Sequence, residues 1–134
     1  LIILIHSSEP VGHQYPGKGT TTPDKLMTLI KNFPDNQIIC AHWGGGLPFY
    51  GLMPEIKASL KNVYFDSAAS PFLYETNIFD LIPECINPQN ILFGSDFPLI
   101  KPERCIKTIK NSNLKKNIVA NILGNNANRL FSRK

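Results

Sequence analysis

Four short apolar segments recur along the chain, with room for a helix after each, and this spacing limits the fold more than any other feature. The segments are residues 1–5, 37–41, 62–65 and 90–93. Each is rich in Ile, Val, Leu or aromatic residues and is too short for a helix, so each predicts a β-strand. Because the strands alternate with longer helical stretches, we expect an α/β fold with a parallel sheet. Near-continuous apolar strands are typical of a sheet that is buried on both faces.

The stretches between the predicted strands show helical signals. Thr22 and Pro23 suit an N-cap and a first helical position, and apolar residues follow at helical spacing up to Phe33. Further helices are predicted at about 48–60, 71–86, 102–111 and 114–123, the second of these with a break near Pro83. The final stretch, GNNANRLF, predicts a short helix that docks Leu130 and Phe131.

The composition is that of a globular protein. The chain has 134 residues, of which 43% are hydrophobic and 18% are charged, enough for one core in one domain. The net charge is +4, and we expect the late basic residues to form a solvated helical face. A nucleic-acid surface is the less favoured alternative, because no aromatic residues are interleaved with these basic residues. They are Lys101, Arg104, Lys107, Lys110, Lys115, Lys116, Arg129, Arg133 and Lys134.

Cysteine spacing and hydropathy indicate the compartment. Cys40, Cys85 and Cys105 are too widely spaced for a disulfide framework or a paired zinc motif, which suits a reducing cytoplasm. No apolar run approaches the ~20 residues that span a bilayer, and the opening LIILI lacks the positive flank of a signal peptide. We therefore expect a cytoplasmic protein with a small-molecule substrate, and neither nucleic acid nor membrane as a partner.

Residues capable of binding metal follow the predicted strands. His6 follows the first, His42 the second, Asp66 with Ser67 the third, and Asp96 the fourth. The carboxyl ends of parallel strands meet at one edge, where active sites of such folds lie. Two imidazoles and a carboxylate suit Zn²⁺, so we predict a metal site formed by His6, His42 and Asp96. Each also has a structural alternative: a loop cap for either histidine, a turn acid for Asp96. For Asp66 a turn residue is the favoured interpretation.

Two further stretches are candidates for substrate binding. In the long loop HSSEPVGHQYPGKG, the residues His13, Tyr15 and Lys18 are predicted to orient a polar or carboxylated substrate, with a solvated loop as the alternative. Trp43, in HWGGGLPFY, suits either a pocket wall or packing, and Ser67 lies at the same predicted edge. The glycines allow a sharp turn and close approach to a ligand. Their spacing matches no phosphate-binding motif.

Several stretches together resemble the amidohydrolase-related family of metal-dependent hydrolases, whose members include non-oxidative decarboxylases. The matching stretches are LIILIHSSEPVGHQYPGKG, IICAHWGGGLPFY, NVYFDSAAS, ILFGSDFP and ILGNNANRLF. The family folds as a (β/α)₈ barrel, so the resemblance implies that the predicted strands are the fifth to eighth of such a barrel. A full barrel needs about 250 residues. We therefore interpret residues 1–134 as one partial domain, the C-terminal half of the barrel.

The resemblance also implies roles for the site residues. His6 matches the fifth-strand metal ligand, and Asp96 matches the eighth-strand aspartate that ligates metal and takes a proton from bound water. His42 matches the sixth-strand histidine, which binds a second metal or acts on the substrate. The family's first-strand His-x-His pair is absent from this sequence. The fragment alone is therefore expected to be inactive.

These roles imply a metal-dependent hydrolase, acting with zinc, or alternatively manganese, on a C–N or C–O bond of a small polar substrate. A metal-dependent non-oxidative decarboxylase and a non-catalytic fragment or interaction module stay open as alternatives. Half a barrel would also leave two strand edges unpaired, so we expect self-association through those edges.

Overall fold

The computed structural model describes residues 1–132 and contains one parallel sheet of four strands in the order β1-β2-β3-β4. The strands are β1 (Ile2–Ile5), β2 (Gln37–Cys40), β3 (Val63–Asp66) and β4 (Ile91–Leu92). Ile3 lies opposite Ile38, Ile39 opposite Tyr64, and Phe65 opposite Ile91. Each predicted strand is present to within two residues at either end, and the predicted parallel α/β sheet is confirmed.

Helices connect the strands and follow β4. They are α1 (Pro23–Asn32), α2 (Pro54–Ser59), α3 (Ser70–Leu73), α4 (Ile78–Cys85), α5 (Pro102–Lys110), α6 (Lys116–Ala120) and α7 (Asn126–Phe131). Tight 3-10 turns span His42–Leu52 and Pro88–Asn90, and one π turn, Asn121–Asn125, joins α6 to α7. All four strands thus run in the same direction. Each connection between them carries the chain from the carboxyl end of one strand back to the amino end of the next.

Apolar residues cover both faces of the sheet. Ile38, Cys40 and Phe65 belong to the larger core, which the helices and the 3-10 segment complete. Ile39 and Tyr64 point to the other face, where they pack with Leu92 and with Leu130 of α7. Alternate residues of one strand therefore lie in two different clusters, as the pleat requires. The two-sided burial predicted from the apolar strands is present.

Two predicted helices are shorter than the sequence indicated. Within 48–60, the chain forms the end of the 3-10 segment and then the short helix α2, because Met53 has extended backbone ahead of Pro54. Within 71–86, α3 ends at Tyr74, whose backbone is extended. Pro83 lies inside α4 and does not end it, so the predicted break falls nine residues too late.

The C-terminal region agrees with the sequence in part. Leu130 is buried as predicted, whereas Phe131 is 62% exposed, so its predicted docking is wrong.

On α5, Lys107 and Lys110 are exposed while Cys105 and Ile109 are buried, which makes this helix an amphipathic one with a solvated basic side. Arg133 and Lys134 lie outside the described residues. Within residues 1–132, no helix combines the length and the hydropathy needed to cross a bilayer.

Candidate metal-dependent active site

The parallel strands deliver His6 and His42 to the same edge of the sheet. His6 follows β1 directly, and His42 lies two residues after the end of β2, its pairing partner. The two imidazole rings meet edge to face, with their centroids 4.9 Å apart. The predicted convergence of these two histidines is therefore present in the structure.

The close approach of the two loops depends on glycine. From His42 to Gly46 every residue has positive φ, a left-handed run that brings the β2 loop back against the β1 loop. A Cβ at Gly44 would lie 2.8 Å from Cε1 of Phe65, and a Cβ at Gly45 would overlap the carbonyl of Ser8. Gly44 is thus needed for packing against Phe65 and Gly45 for close contact with the Ser8 backbone, and no phosphate cradle is required to explain them.

A hydrogen bond to a backbone carbonyl fixes the orientation of the His42 ring. Its Nδ1 lies 3.2 Å from the carbonyl oxygen of Ala68, and a carbonyl can only accept, so Nδ1 bears the proton. In the neutral ring, Nε2 is then the nitrogen with a free lone pair. A hydrogen bond from one ring nitrogen to a backbone carbonyl commonly orients a histidine for metal binding or proton transfer through its other nitrogen.

Asp66 holds the backbone of both His42 and Ala68. Its Oδ1 accepts hydrogen bonds from the amides of His42 and Ala68, both at 3.0 Å. Burial raises the pKa of the Asp66 carboxyl, and these two amides together with the nearby His42 side chain oppose that rise. The predicted turn role of Asp66 is thus part of a larger arrangement that includes the histidine.

The His6 ring is held by the loop that follows β1. Its Nε2 lies 3.3 Å from Oγ of Ser8, and the same Oγ accepts a hydrogen bond from the amide of Gly19 at 2.9 Å. Nε2 is therefore engaged with protein, and Nδ1 is the nitrogen available to a ligand. The long loop after β1 is folded back onto the histidine through this serine.

The two histidines and Asp96 line one cavity of about 560 Å³, a volume in the range of small-molecule sites. Its lining combines polar and apolar residues. The apolar side chains are those of Ala69, Phe72, Leu73 and Leu99. His13, Tyr15, Pro16 and Gly17 complete the wall from the long loop.

The donor set suits a divalent cation in type and falls short in number. Imidazole nitrogens and a carboxylate are ligands for Zn²⁺ and Mn²⁺ alike. In residues 1–132, however, no three His, Cys, Asp or Glu side chains lie close enough together to hold a metal. The structure brings His6 and His42 into contact and places Asp96 on the same wall, without closing a three-ligand site. These residues offer part of a coordination sphere, as expected of half a barrel.

The predicted substrate-binding residues divide into two groups. His13 and Tyr15 lie on the cavity wall, and the Tyr15 hydroxyl donates to Oε2 of Glu9 at 3.2 Å. Burial and the Glu9 carboxylate raise the pKa of Tyr15, so it stays a protonated phenol.

Lys18, Trp43 and Ser67 are not among the described residues that form this wall. The Lys18 ammonium donates to the carbonyls of Val11 and His13. Trp43 is fully buried, and its indole N–H donates to Oγ of Ser70. Ser67 Oγ donates to the Gly94 carbonyl and accepts from the Gly94 amide. The structure gives all three a role in supporting the loops.

The sequence did not predict the apolar part of the cavity lining. Ala69, Phe72 and Leu73 come from the turn after β3 and from α3, and Leu99 follows Asp96. Phe72 and Leu99 are exposed large apolar residues in the segments that follow β3 and β4. That placement was the available signal, because apolar residues in functional loops need a partner to cover them.

The cysteines take no part in the site. All three are buried, and burial raises the pKa of the Cys40 thiol to about 12. A thiol with such a pKa stays protonated and unreactive. Cys40 acts as a small apolar residue of the core, as the sequence indicated.

Four parallel strands with connecting helices, and candidate metal-binding residues beyond their carboxyl ends, form the arrangement seen at the active face of (β/α)₈ barrels. A family model described as amidohydrolase matches residues 1–133. The chain belongs to the amidohydrolase family, and the resemblance recognised from its motifs is confirmed.

Known proteins similar to this chain include decarboxylases. A 6-methylsalicylic acid decarboxylase from Penicillium expansum is 28% identical to this chain, and the match covers 72% of this chain and 38% of that protein. The 5-carboxyvanillate decarboxylase from Sphingomonas paucimobilis has a similar fold, with a TM-score of 0.73 at 16% identity over 96% of this chain and 48% of the other.

A third similar structure contains a metal. The dihydroxybenzoic acid decarboxylase from a Polaromonas species, with bound manganese and the inhibitor 2-nitroresorcinol, gives a TM-score of 0.66 at 21% identity. The match covers 81% of this chain and 38% of that one. The chain thus spans half or less of the length of these relatives. At these identities the solved structures establish the shared barrel fold.

Proposed function

We propose that the protein containing this chain is a metal-dependent decarboxylase of an aromatic carboxylic acid. The observation that supports this most is the mixed lining of the cavity, where His6, His42 and Asp96 occur together with the apolar residues Ala69, Phe72, Leu73 and Leu99. An aromatic ring with one carboxylate likewise combines an apolar body with a charged group. The decarboxylase relatives named above support the same substrate class.

The cavity can hold such a substrate by its two chemically different ends. A ring against Phe72 and Leu99 removes apolar surface from water, which favours binding by roughly 25 cal/mol per Å² buried. Tyr15, a protonated phenol on the loop side, can donate a hydrogen bond to an anionic oxygen if it releases Glu9. A small polar amide would leave the apolar wall uncovered.

The reaction needs one proton at a defined carbon atom. Protonation of the ring carbon that carries the carboxylate makes that carbon tetrahedral, the C–C bond then breaks, and its electron pair restores the aromatic ring as CO₂ leaves. We assign this proton transfer to Asp96, which lies on the cavity wall and is open to solvent for reprotonation.

His42 contributes a nitrogen lone pair at a fixed position. Because Nδ1–H is anchored to Ala68, the unprotonated Nε2 of the neutral ring can accept a hydrogen bond from a hydroxyl of the substrate beside the carboxylate. His6 and Asp96, with donors from outside this chain, would hold a divalent cation, which would supply positive charge next to an anionic substrate.

The test is a comparison of products with the full-length protein loaded with Mn²⁺. One sample receives 6-methylsalicylate and another its methyl ester and primary amide. We expect CO₂ release from the acid, and a loss of about 10²-fold or more in kcat for His42→Asn and Asp96→Asn. Rates within tenfold of wild type in both variants would contradict the assigned roles.

The same assay separates the alternatives left open by the sequence. Ester or amide cleavage without CO₂ release would favour the hydrolase, which the family description supports and which otherwise stays a prediction. Neither product, together with less than one metal ion per chain, would favour the non-catalytic module. CO₂ release from a benzoate that lacks a neighbouring hydroxyl would show that the substrate class is broader than that of the relative.

A further inference from the structure

His42 adopts a backbone conformation that its sequence does not favour by itself. Its φ is +54°, in the left-handed region where residues with a Cβ are rare, and Trp43 has the same φ. Both residues are buried. A histidine in such a position keeps one orientation only if surrounding groups hold both its backbone and its ring.

One carboxylate oxygen supplies the backbone part of that support. Oδ1 of Asp66 accepts from the His42 amide at 3.0 Å, 24 positions away in sequence. The same oxygen accepts from the Ala68 amide at 3.0 Å. Asp66 thus joins the end of β3 to the loop that follows β2.

The ring part of the support depends on the same residue. The Ala68 carbonyl that receives Nδ1–H of His42 belongs to the loop whose amide Asp66 holds. Gly94 packs against this arrangement, since a Cβ there would lie 3.3 Å from Cγ of Asp66 and 3.3 Å from Cβ of Ala68. Little room therefore remains for the carboxylate to move.

We propose that Asp66 is a positioning residue for His42, holding its amide directly and its Nδ1–H tautomer through Ala68. Asp66 then sets which nitrogen of His42 faces the substrate, without contact with the substrate itself. This inference rests on the proposed function only in treating His42 as the histidine that acts on the substrate. A purely local turn at Asp66 would leave the tautomer of His42 unchanged when the carboxylate is removed.

The experiment measures the two ring nitrogens of His42 by long-range ¹H–¹⁵N NMR in the full-length protein, after chelation of metal and without substrate. In wild type we expect protonated Nδ1 and unprotonated Nε2. Asp66→Ala should shift His42 to a mixture of tautomers. Asp66→Asn should keep the wild-type pattern, because the amide oxygen can accept the same two N–H groups.

Asp80→Ala is the matched control. The Asp80 carboxylate also accepts a backbone amide, that of Asn113 at 2.9 Å, but on α4 and outside the cavity wall. Loss of this carboxylate should leave the His42 signals unchanged. Wild-type signals for His42 in Asp66→Ala would overturn the proposal.

Amide exchange keeps the proposal testable if Asp66→Ala does not fold. In wild type and in Asp66→Asn, the amides of His42 and Ala68 should exchange at least tenfold more slowly than the exposed amide of Gly17. Exchange of His42 as fast as that of Gly17 in wild type would overturn the proposal.

Activity provides a separate readout. In a folded Asp66→Ala variant, we expect a fall in kcat of about 10²-fold with little change in KM, restored in large part by Asp66→Asn. If the protein releases no CO₂ from any aromatic acid, the proposed function fails while the tautomer and exchange results still decide the role of Asp66.

Discussion

Single residues decide whether the loops of the site can meet. Gly45 has φ of +60° and lies so close to Ser8 that any Cβ would overlap the Ser8 carbonyl. Gly17 has φ of +88° and nothing within 4 Å of the corresponding position. The two glycines therefore share backbone strain on substitution and differ in steric contact.

We expect Gly45→Ala to lower the free energy of unfolding by about 3 kcal/mol, the sum of left-handed strain and overpacking against Ser8. Gly17→Ala should lower it by about 1 kcal/mol, because only the strain applies. Urea unfolding followed by circular dichroism measures both values. Equal effects of the two substitutions would contradict the close contact at Gly45.

At the residue scale, the sequence predicted the polar residues of the cavity better than the residues that hold them in position. His6, His42 and Asp96 were identified because each follows an apolar strand, and all three reach one cavity wall. The role of Asp66 was not predictable in the same way. A carboxylate after a strand can bind metal, close a turn or accept a distant amide, and only the folded position of His42 distinguishes these cases.

At the scale of elements, Asn126 joins α7 to the start of β4. Its side-chain amide is buried and donates to the carbonyls of Pro88 at 2.9 Å and Ile91 at 2.8 Å. Its Oδ1 accepts from Arg129 at 2.6 Å. These bonds satisfy backbone groups next to the shortest strand, which pairs with β3 over two residue pairs.

We expect Asn126→Ala to lower the free energy of unfolding by about 2–3 kcal/mol, because it leaves the Pro88 and Ile91 carbonyls without their donor. Asn125→Ala is the control. Asn125 is exposed and bonds only weakly to Asn121, at 3.3 Å, so its loss should change stability by less than about 0.5 kcal/mol. Thermal and urea unfolding of the two variants provide the comparison, and similar losses in both would refute the joining role of Asn126.

The elements that the sequence predicted well are those with strong local signals. The four apolar strands, α1 after Thr22 and Pro23, and α5 are close to their expected bounds. The segment 42–52 was not predictable from helical signals, because its path follows from left-handed glycines and from contacts with the β1 loop. The break at Tyr74 likewise has no Gly or Pro to mark it.

At the scale of the whole molecule, the sheet has two open edges. Among the described residues, β1 pairs only with β2, and β4 only with β3. Open edges offer unpaired N–H and C=O groups to another strand. The chain also spans 48% of the similar decarboxylase barrel from Sphingomonas paucimobilis, so a second set of strands is what the fold family places at these edges.

We expect the 134-residue chain, expressed by itself, to dimerise or aggregate as its concentration rises, because β1 has an unpaired edge and exposes Leu4, which is 65% accessible. Leu4→Lys should shift the equilibrium towards monomer, since charge on an edge strand opposes edge-to-edge pairing. Leu81→Lys is the matched control, because Leu81 is 48% exposed but lies on α4. Sedimentation velocity at several concentrations measures the three proteins. A wild-type chain that is monodisperse, monomeric and cooperatively unfolding would contradict this expectation, as would equal effects of the two lysines.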